Sequence, residues 1–172
     1  MKKFLTIVLI GFVTLLLSTV TFAQEKKAVV SEEHHHMLQL HHKNAAEHAK
    51  VLHHHVQQKG ENMNKEVVKE HTEEIGKSLN AAKQHHAKIQ ENTTEAEKKI
   101  TQKHHEAITK YHAKAEEHHK ALTSEIAKEK PQPEKIKEHA AGIHENVKKA
   151  EAEHHQIKKM IGVKEAKEPV KK

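Results

Sequence analysis

The chain has 172 residues, the size of one domain, of which 35% are hydrophobic and 31% are charged, as in soluble folds. Cysteine is absent, which excludes disulfides, thiolate metal sites and lipid attachment through an N-terminal cysteine. The net charge of +6 is carried by lysine and glutamate alone, since arginine and aspartate are absent. Both residues favour helix, and glycine and proline are few, so the composition predicts an almost wholly helical chain.

Residues 1–23 have the layout of a secretory signal peptide. Two lysines precede an apolar stretch at 4–17, and small and polar residues then lead to Ala23. A membrane anchor would need about 20 uninterrupted apolar residues, and this stretch is shorter. We therefore expect cleavage after Ala23 and export of the mature chain to the periplasm or the outside of the cell.

Four helices are predicted for the mature chain, at about residues 31–59, 62–90, 94–129 and 133–161. Gly60 is expected to end the first helix and Pro133 to open the last. Thr94 with Glu97 fits a capping box that would open the third helix. That boundary has no glycine or proline, so the second and third helices are also compatible with one continuous rod. A tail rich in lysine and glutamate, residues 162–172, is expected to be frayed.

Apolar residues recur at spacings of three and four along each predicted helix and nowhere alternate as in a strand. The last helix shows this seam most clearly, in the series Ile136, Ala140, Ile143, Val147, Ala150, His154, Ile157 and Ile161. Four such faces joined by short turns predict an all-α protein, an up-down antiparallel bundle of four helices, or of three if two are fused. The bundle is expected to occupy residues 24–161 as one domain.

Histidine is the unusual component of this chain. There are 21 histidines, whereas Tyr111 is the only other aromatic residue after position 23. The unit apolar-x-x-His-His-x-x-apolar recurs at 38–45, 82–89 and 115–122. Ladders with a step of seven residues are formed by His34, His41, His48 and His55, and by His105, His112 and His119. A step of seven returns to nearly the same helix face, so the rungs should lie about 10 Å apart along the bundle.

No two histidines are three or four residues apart, which removes the usual two-ligand metal site on one helix. A metal ion would then be held between helices, or by histidine with glutamate, as in His112, Glu116 and His119. Antiparallel helices with a rise of about 1.5 Å per residue predict four levels. These levels are His34 and His35 with His85 and His86; His41 and His42 with His104, His105, His154 and His155; His48 with His71 and His112; and His53, His54 and His55 with His118, His119 and His144.

The predicted metal ligands are His34, His35, His41, His42, His48, His55, His71, His85, His86, His104, His105, His112, Glu116, His118, His119, His154 and His155. Imidazole and carboxylate without thiolate favour Zn(II) or Cu(II) and are also compatible with Ni(II) or Co(II). A catalytic metal centre would be one constellation with an open position, whereas these candidates are spread along the bundle. No enzyme is expected, because the chain also lacks a Gly-rich phosphate loop and Cys or Asp nucleophiles. The pattern favours buffering, storage or delivery of several divalent ions.

Two other interpretations stay open at this point. Histidine is compatible with helix, so its excess could be polar filler on a solvated bundle. Alternatively, an exported cationic bundle could bind anionic polymers or surfaces of the cell envelope through lysine, with histidine adding charge in acid. Nucleic acid is not expected as a partner because arginine is absent. No transmembrane segment is expected in the mature chain, and self-association is compatible with each interpretation.

Overall fold

A computed structural model describes residues 32–163 of the chain; the predicted signal peptide, and the predicted tail from residue 164 onward, lie outside the described residues. Residues 32–163 form helices joined by short turns, without any strand. The helices are α1, described over residues 32–59, α2 (Lys65–Asn92), α3 (Glu95–Ile126) and α4 (Pro133–Ile161). The predicted all-α bundle is confirmed, and α2 and α3 are separate helices.

Gly60 and Asn64 set the turn between α1 and α2. Gly60 has a φ of 53°, a left-handed conformation that glycine adopts at little cost, and Gly60–Asn62 forms a short 3-10 turn. The side-chain oxygen of Asn64 then accepts hydrogen bonds from the backbone N–H groups of Glu66 and Val67. Because of this cap, α2 begins at Lys65 and not at residue 62 as predicted.

The two later turns are also fixed by specific side chains. Thr94 and Glu97 form the predicted capping box at the start of α3. α3 ends at Ile126, short of the predicted residue 129, because the buried Glu125 carboxylate accepts hydrogen bonds from Lys128 Nζ and from the backbone N–H of Gln132. These two bonds turn the chain into α4, which begins at Pro133 and ends before Gly162 as predicted.

The helices are arranged so that α1 lies beside α2 and α4, with α3 diagonally across from it. His34 near the start of α1 contacts His85 near the end of α2, and His48 further along contacts His71 near its start, so these neighbours are antiparallel. Lys158 near the end of α4 donates a hydrogen bond to Gln39 of α1. α3 packs against both α2 and α4, which completes the square.

The interior of the bundle is divided along its length. In the half nearer the α1–α2 turn, a continuous apolar cluster includes Leu52, Ile75 and Leu122, each with 0% exposure. In the other half the apolar residues form two smaller groups, Leu38 with Ala82 and Ile89, and Ile108 with Ala150 and Ile157. Buried histidines take seam positions on all four helices in that half. No helix within residues 32–163 has a stretch long and apolar enough to cross a membrane.

Candidate functional site: histidine pairs between helices

Five pairs of histidines from different helices bring ring nitrogens within hydrogen-bond distance. The three inner pairs are buried: His35 Nδ1 with His154 Nε2 at 2.8 Å, His42 Nε2 with His112 Nε2 at 2.7 Å, and His86 Nε2 with His105 Nδ1 at 2.9 Å. The two outer pairs are partly buried and join α1 to α2: His34 Nδ1 with His85 Nδ1 at 3.1 Å, and His48 Nδ1 with His71 Nδ1 at 2.9 Å. In each pair of neutral rings, one nitrogen donates its proton and the other accepts it.

The inner pairs combine into one cluster of six histidines contributed by all four helices. None of the six is more than 5% exposed. Ring contacts join the pairs, because the centroids of His42 and His154 are 6.3 Å apart and those of His86 and His112 are 5.7 Å apart. These six histidines, the inner cluster, are therefore core residues and not polar filler on a solvated surface.

Three ring nitrogens of the inner cluster have no hydrogen-bond partner among the described residues. They are His35 Nε2, His42 Nδ1 and His105 Nε2, all of them buried. A buried polar atom without a partner costs about 1–3 kcal/mol. Imidazole therefore stabilises this part of the core less than an apolar side chain of similar size would.

Burial keeps the inner cluster uncharged at neutral pH. It lowers the pKa from 6.5 to about 4 for His35 and His112, about 3 for His86 and about 2 for His154, and it also lowers the pKa values of His42 and His105. Neighbouring positive charge has a second and smaller effect, from Lys158 on the pKa of His35 and from His35 on that of His154. A neutral imidazole keeps a lone pair on one ring nitrogen, and this neutral form of the ring is the one that binds a metal ion.

The outer pairs lie along the face between α1 and α2. Three histidines of the predicted α1 ladder face α2. His34 pairs with His85, and His41 stacks on the same His85 ring with centroids 5.4 Å apart. His48 pairs with His71. All five of these rings are half-buried, so their nitrogens lie close to solvent. The ladder therefore forms a row of imidazoles that an ion can reach.

The pKa values of His85 and His71 on this face also favour the neutral ring. Burial lowers the pKa of His85 most, the charges of His34 and His41 lower it further, and Glu33 opposes them. Burial and then His48 lower the pKa of His71, and Glu70 opposes them. Each outer pair thus has a carboxylate near enough to act on it electrostatically.

The remaining predicted ligands contact other groups. His104 Nδ1 donates to Glu153 Oε2 at 2.5 Å, and the rings of His118 and His139 are 5.8 Å apart. His55 Nε2 accepts a hydrogen bond from the backbone N–H of Asn64, and His155 is exposed.

The predicted same-helix set of His112, Glu116 and His119 is not assembled. Glu116 forms an ion pair with Lys83 at 2.5 Å, and His112 is buried against α1. His119 Nε2 donates to the backbone carbonyl of Thr72 at 2.9 Å. The three side chains on this stripe of α3 therefore point to three different partners.

The predicted levels are correct in part. The contacts of His34 with His85, His48 with His71 and His42 with His154 are confirmed. His42 also meets His112, which was expected at the next level, so α3 is placed about one heptad from its predicted height. The fourth level is wrong, because His119 and His144 donate to backbone carbonyls of α2 and α1 and do not meet the histidines at 53–55.

Within residues 32–163, no group of three or more histidine and glutamate side chains is placed to hold a metal ion. The predicted clusters of ligands from three or more helices are thus replaced by pairs. The paired rings occupy one another's hydrogen-bonding positions, so a third ligand would have to come from water or from rotation of a neighbouring side chain.

Sequence reasoning gave no role to Gly76 and Gly142, the glycines inside α2 and α4. A Cβ atom at Gly76 would lie 2.8 Å from the His119 ring, and one at Gly142 would lie 2.5 Å from the His118 ring. His118 and His119, which are adjacent in the sequence of α3, therefore pack against glycines of two different helices. Glycine inside a helix is unfavourable, which was the available signal that these positions serve a close contact.

Comparison of the chain with protein-family models, with curated proteins and with solved structures gave no match.

Proposed function

We propose that this protein binds several divalent transition-metal ions through histidines paired between helices, and that it is an exported protein which buffers, stores or delivers those ions. The observation that carries the proposal is the set of five interhelical ring-nitrogen pairs at 2.7–3.1 Å. Zn(II) or Cu(II) is the favoured ion, because the chain offers imidazole and carboxylate without thiolate.

The spacing of the paired nitrogens supports this proposal. With Zn–N bonds of about 2.0–2.1 Å, two ligands at a tetrahedral angle are about 3.3 Å apart. The His34–His85 nitrogens are 3.1 Å apart and the His48–His71 nitrogens 2.9 Å. Both outer pairs would need to open by only a few tenths of an ångström for an ion to replace the shared proton.

The outer pairs are the best candidates for the first ions bound, because an ion can reach them from solvent. His41, stacked on His85, and Glu33 act on the first pair, and Glu70 acts electrostatically on the second, so a further protein ligand would require one of these side chains to rotate toward the ion. Water would complete the coordination. The inner cluster, which is closed to solvent, would load only when the helices separate locally.

Calorimetric titration of metal-free protein with Zn(II) tests the proposal. The parent is expected to bind at least two equivalents, one for each outer pair. A variant with His34→Ala and His85→Ala should lose about one equivalent, and adding His48→Ala and His71→Ala should remove a second. The matched control is His36→Ala with His54→Ala, two exposed histidines that take part in none of the five pairs, and it should bind as the parent does.

Unaltered Zn(II) uptake by the four-fold variant would refute binding at the outer pairs. Equal losses in the control variant would instead show uptake by exposed imidazole in general. Circular dichroism of each metal-free variant should verify that the bundle is retained, which is expected because all of the substituted side chains are at least partly exposed.

A further inference from the structure

Lys158 of α4 is a buried cation whose partner is neutral. The residue is only 6% exposed, and its ammonium donates a hydrogen bond to the side-chain oxygen of Gln39 on α1 at 3.0 Å. Within residues 32–163 it forms no ion pair with a carboxylate, whereas Lys148 and Lys149 on the same helix are each paired with a glutamate at 2.5 Å. A buried ammonium without an anion is unfavourable because much of its hydration is lost.

Lys158 also lines a cleft of about 340 Å³ between α1 and α4. Side chains able to donate hydrogen bonds line its walls, namely Gln39, Lys148, His154, His155, Gln156 and Lys158. The one carboxylate that lines the cleft, Glu151, is already neutralised by Lys148 at 2.5 Å. With Lys148 and Glu151 paired to each other, the Lys158 ammonium is the cleft's lysine without a carboxylate partner among residues 32–163, and the cleft has room for a small ligand.

We propose that this cleft binds a small oxyanion, a phosphate or carboxylate group, with the Lys158 ammonium as its central contact. The anion would give the buried ammonium the charged partner that it lacks, and the amide N–H groups of Gln39 and Gln156 would donate to the remaining oxygens. The site is distinct from the outer pairs on the α1–α2 face and does not depend on metal binding. It lies next to the inner cluster, since Lys158 acts electrostatically on His35 and His154.

The test is titration of metal-free protein with inorganic phosphate and, separately, with acetate, at an ionic strength held constant with sodium chloride. Calorimetry gives the dissociation constant, and the thermal unfolding midpoint gives a second readout. Lys158→Met keeps the buried aliphatic stem and removes the charge. The matched control is Lys159→Met, which removes the same charge from the next, exposed residue.

At least one of the two anions should bind the parent and raise its unfolding midpoint. Binding should weaken by about tenfold or more in Lys158→Met, as expected for loss of one hydrogen bond to a charged group, and change little in Lys159→Met. A parent that responds no more to phosphate and acetate than to chloride would overturn the proposal, as would equal binding by both variants.

A second variant keeps the test decisive if Lys158→Met fails to fold. Gln156→Glu places a carboxylate in the cleft at an exposed position, where the fold should tolerate it. The introduced charge should occupy Lys158 and repel added anions, so phosphate and acetate binding should be lost. Binding equal to that of the parent would place the anion elsewhere on the protein.

Discussion

At the scale of single residues, a buried imidazole has one nitrogen more than its partner ring can satisfy. His42 uses Nε2 in its contact with His112, and its Nδ1 is left without a partner. Its pKa is lowered well below 6.5, first by burial and then by the charges of His112 and His86. The two rings of such a pair therefore depend on each other, and their contributions to stability should not be additive.

This dependence gives a prediction for His42→Leu and His112→Leu. Either single substitution leaves the other ring without its hydrogen bond in the core, so each should destabilise the metal-free protein by about 1–3 kcal/mol. The double variant removes both polar groups, and it should be less destabilised than the sum of the single variants, or even more stable than the parent. Urea unfolding of all four proteins gives the coupling free energy. A coupling near zero would mean that the two rings do not interact.

At the scale of helices, the contact between α3 and α2 combines a glycine with a ring. His119 lies against Gly76 and donates a hydrogen bond to the Thr72 carbonyl one turn earlier. A methyl group at position 76 would displace this ring, because its Cβ would lie 2.8 Å from a ring atom. Glycine is retained there despite a helix propensity about 1 kcal/mol worse than that of alanine.

We therefore expect Gly76→Ala to have different effects in two backgrounds. In a His119→Ala protein the substitution should stabilise the bundle by up to about 1 kcal/mol, since only helix propensity changes. In the parent it should be neutral or destabilising, because displacement of the ring loses a hydrogen bond of about 1 kcal/mol. Chemical denaturation of the four proteins measures both effects. Equal gains in the two backgrounds would show that the ring contact contributes nothing.

Gly142→Ala on α4 supplies an independent repeat of this comparison. Its partner is His118, whose ring would lie 2.5 Å from the new Cβ. His118 forms no hydrogen bond with α4 among the described residues, so any difference between the parent and a His118→Ala background comes from displacement of the ring alone. The comparison thus separates the hydrogen bond from the packing of the ring.

The sequence predicts where the helices begin and end better than it predicts their positions along the bundle axis relative to one another. Caps such as Thr94 with Glu97 are local, so they could be identified from residues a few positions apart. The position of α3 along the bundle axis relative to α1 depends instead on the length and conformation of each turn. Two helix ends next to turns differ from the prediction: α2 begins later, after the 3-10 turn at Gly60–Asn62, and α3 ends earlier, at the turn that Glu125 stabilises. A histidine pattern that repeats every seven residues is nearly unchanged by a shift of one heptad, and so His112 was placed one level away from its partner His42.

The candidate site was predictable in kind but not in composition. Helix periodicity places His42, His86, His105, His112, His119 and His154 on the seam, and all of these except the half-buried His119 are buried. It does not place His35 there, although that ring is buried as well. Periodicity cannot determine which ring rotates toward which neighbour, because several rotamers of each side chain are compatible with the same helix position. The pairs, the glycine contacts and the cleft at Lys158 all depend on that choice.

At the scale of the whole molecule, the two halves of the bundle should respond differently to acid. The half nearer the α1–α2 turn has a continuous apolar core, whereas the other half contains the inner cluster. Four of its members have pKa values lowered to between about 2 and about 4. Since the folded pKa lies below the unfolded value of 6.5, the unfolded state binds more protons in this range. Stability is then fully present above pH 6.5 and is lost as the pH falls toward 4.

The metal-free protein should therefore unfold in mild acid. One pH unit below 6.5, each of the four deeply buried histidines lowers the free energy of unfolding by about 1.4 kcal/mol, or about 6 kcal/mol together, which is comparable to the whole stability of many domains. We expect the helical circular dichroism signal to fall between pH 6.5 and 5, and bound Zn(II) to shift that transition to lower pH by stabilising the neutral rings.

The double variant His42→Leu with His112→Leu should unfold at lower pH than the parent, because it takes up fewer protons on unfolding. The exposed-residue variant His36→Ala with His54→Ala should keep the parent midpoint. A signal unchanged between pH 7.5 and 5 would mean that these imidazoles can be charged in the folded bundle, which their burial on all four helices opposes.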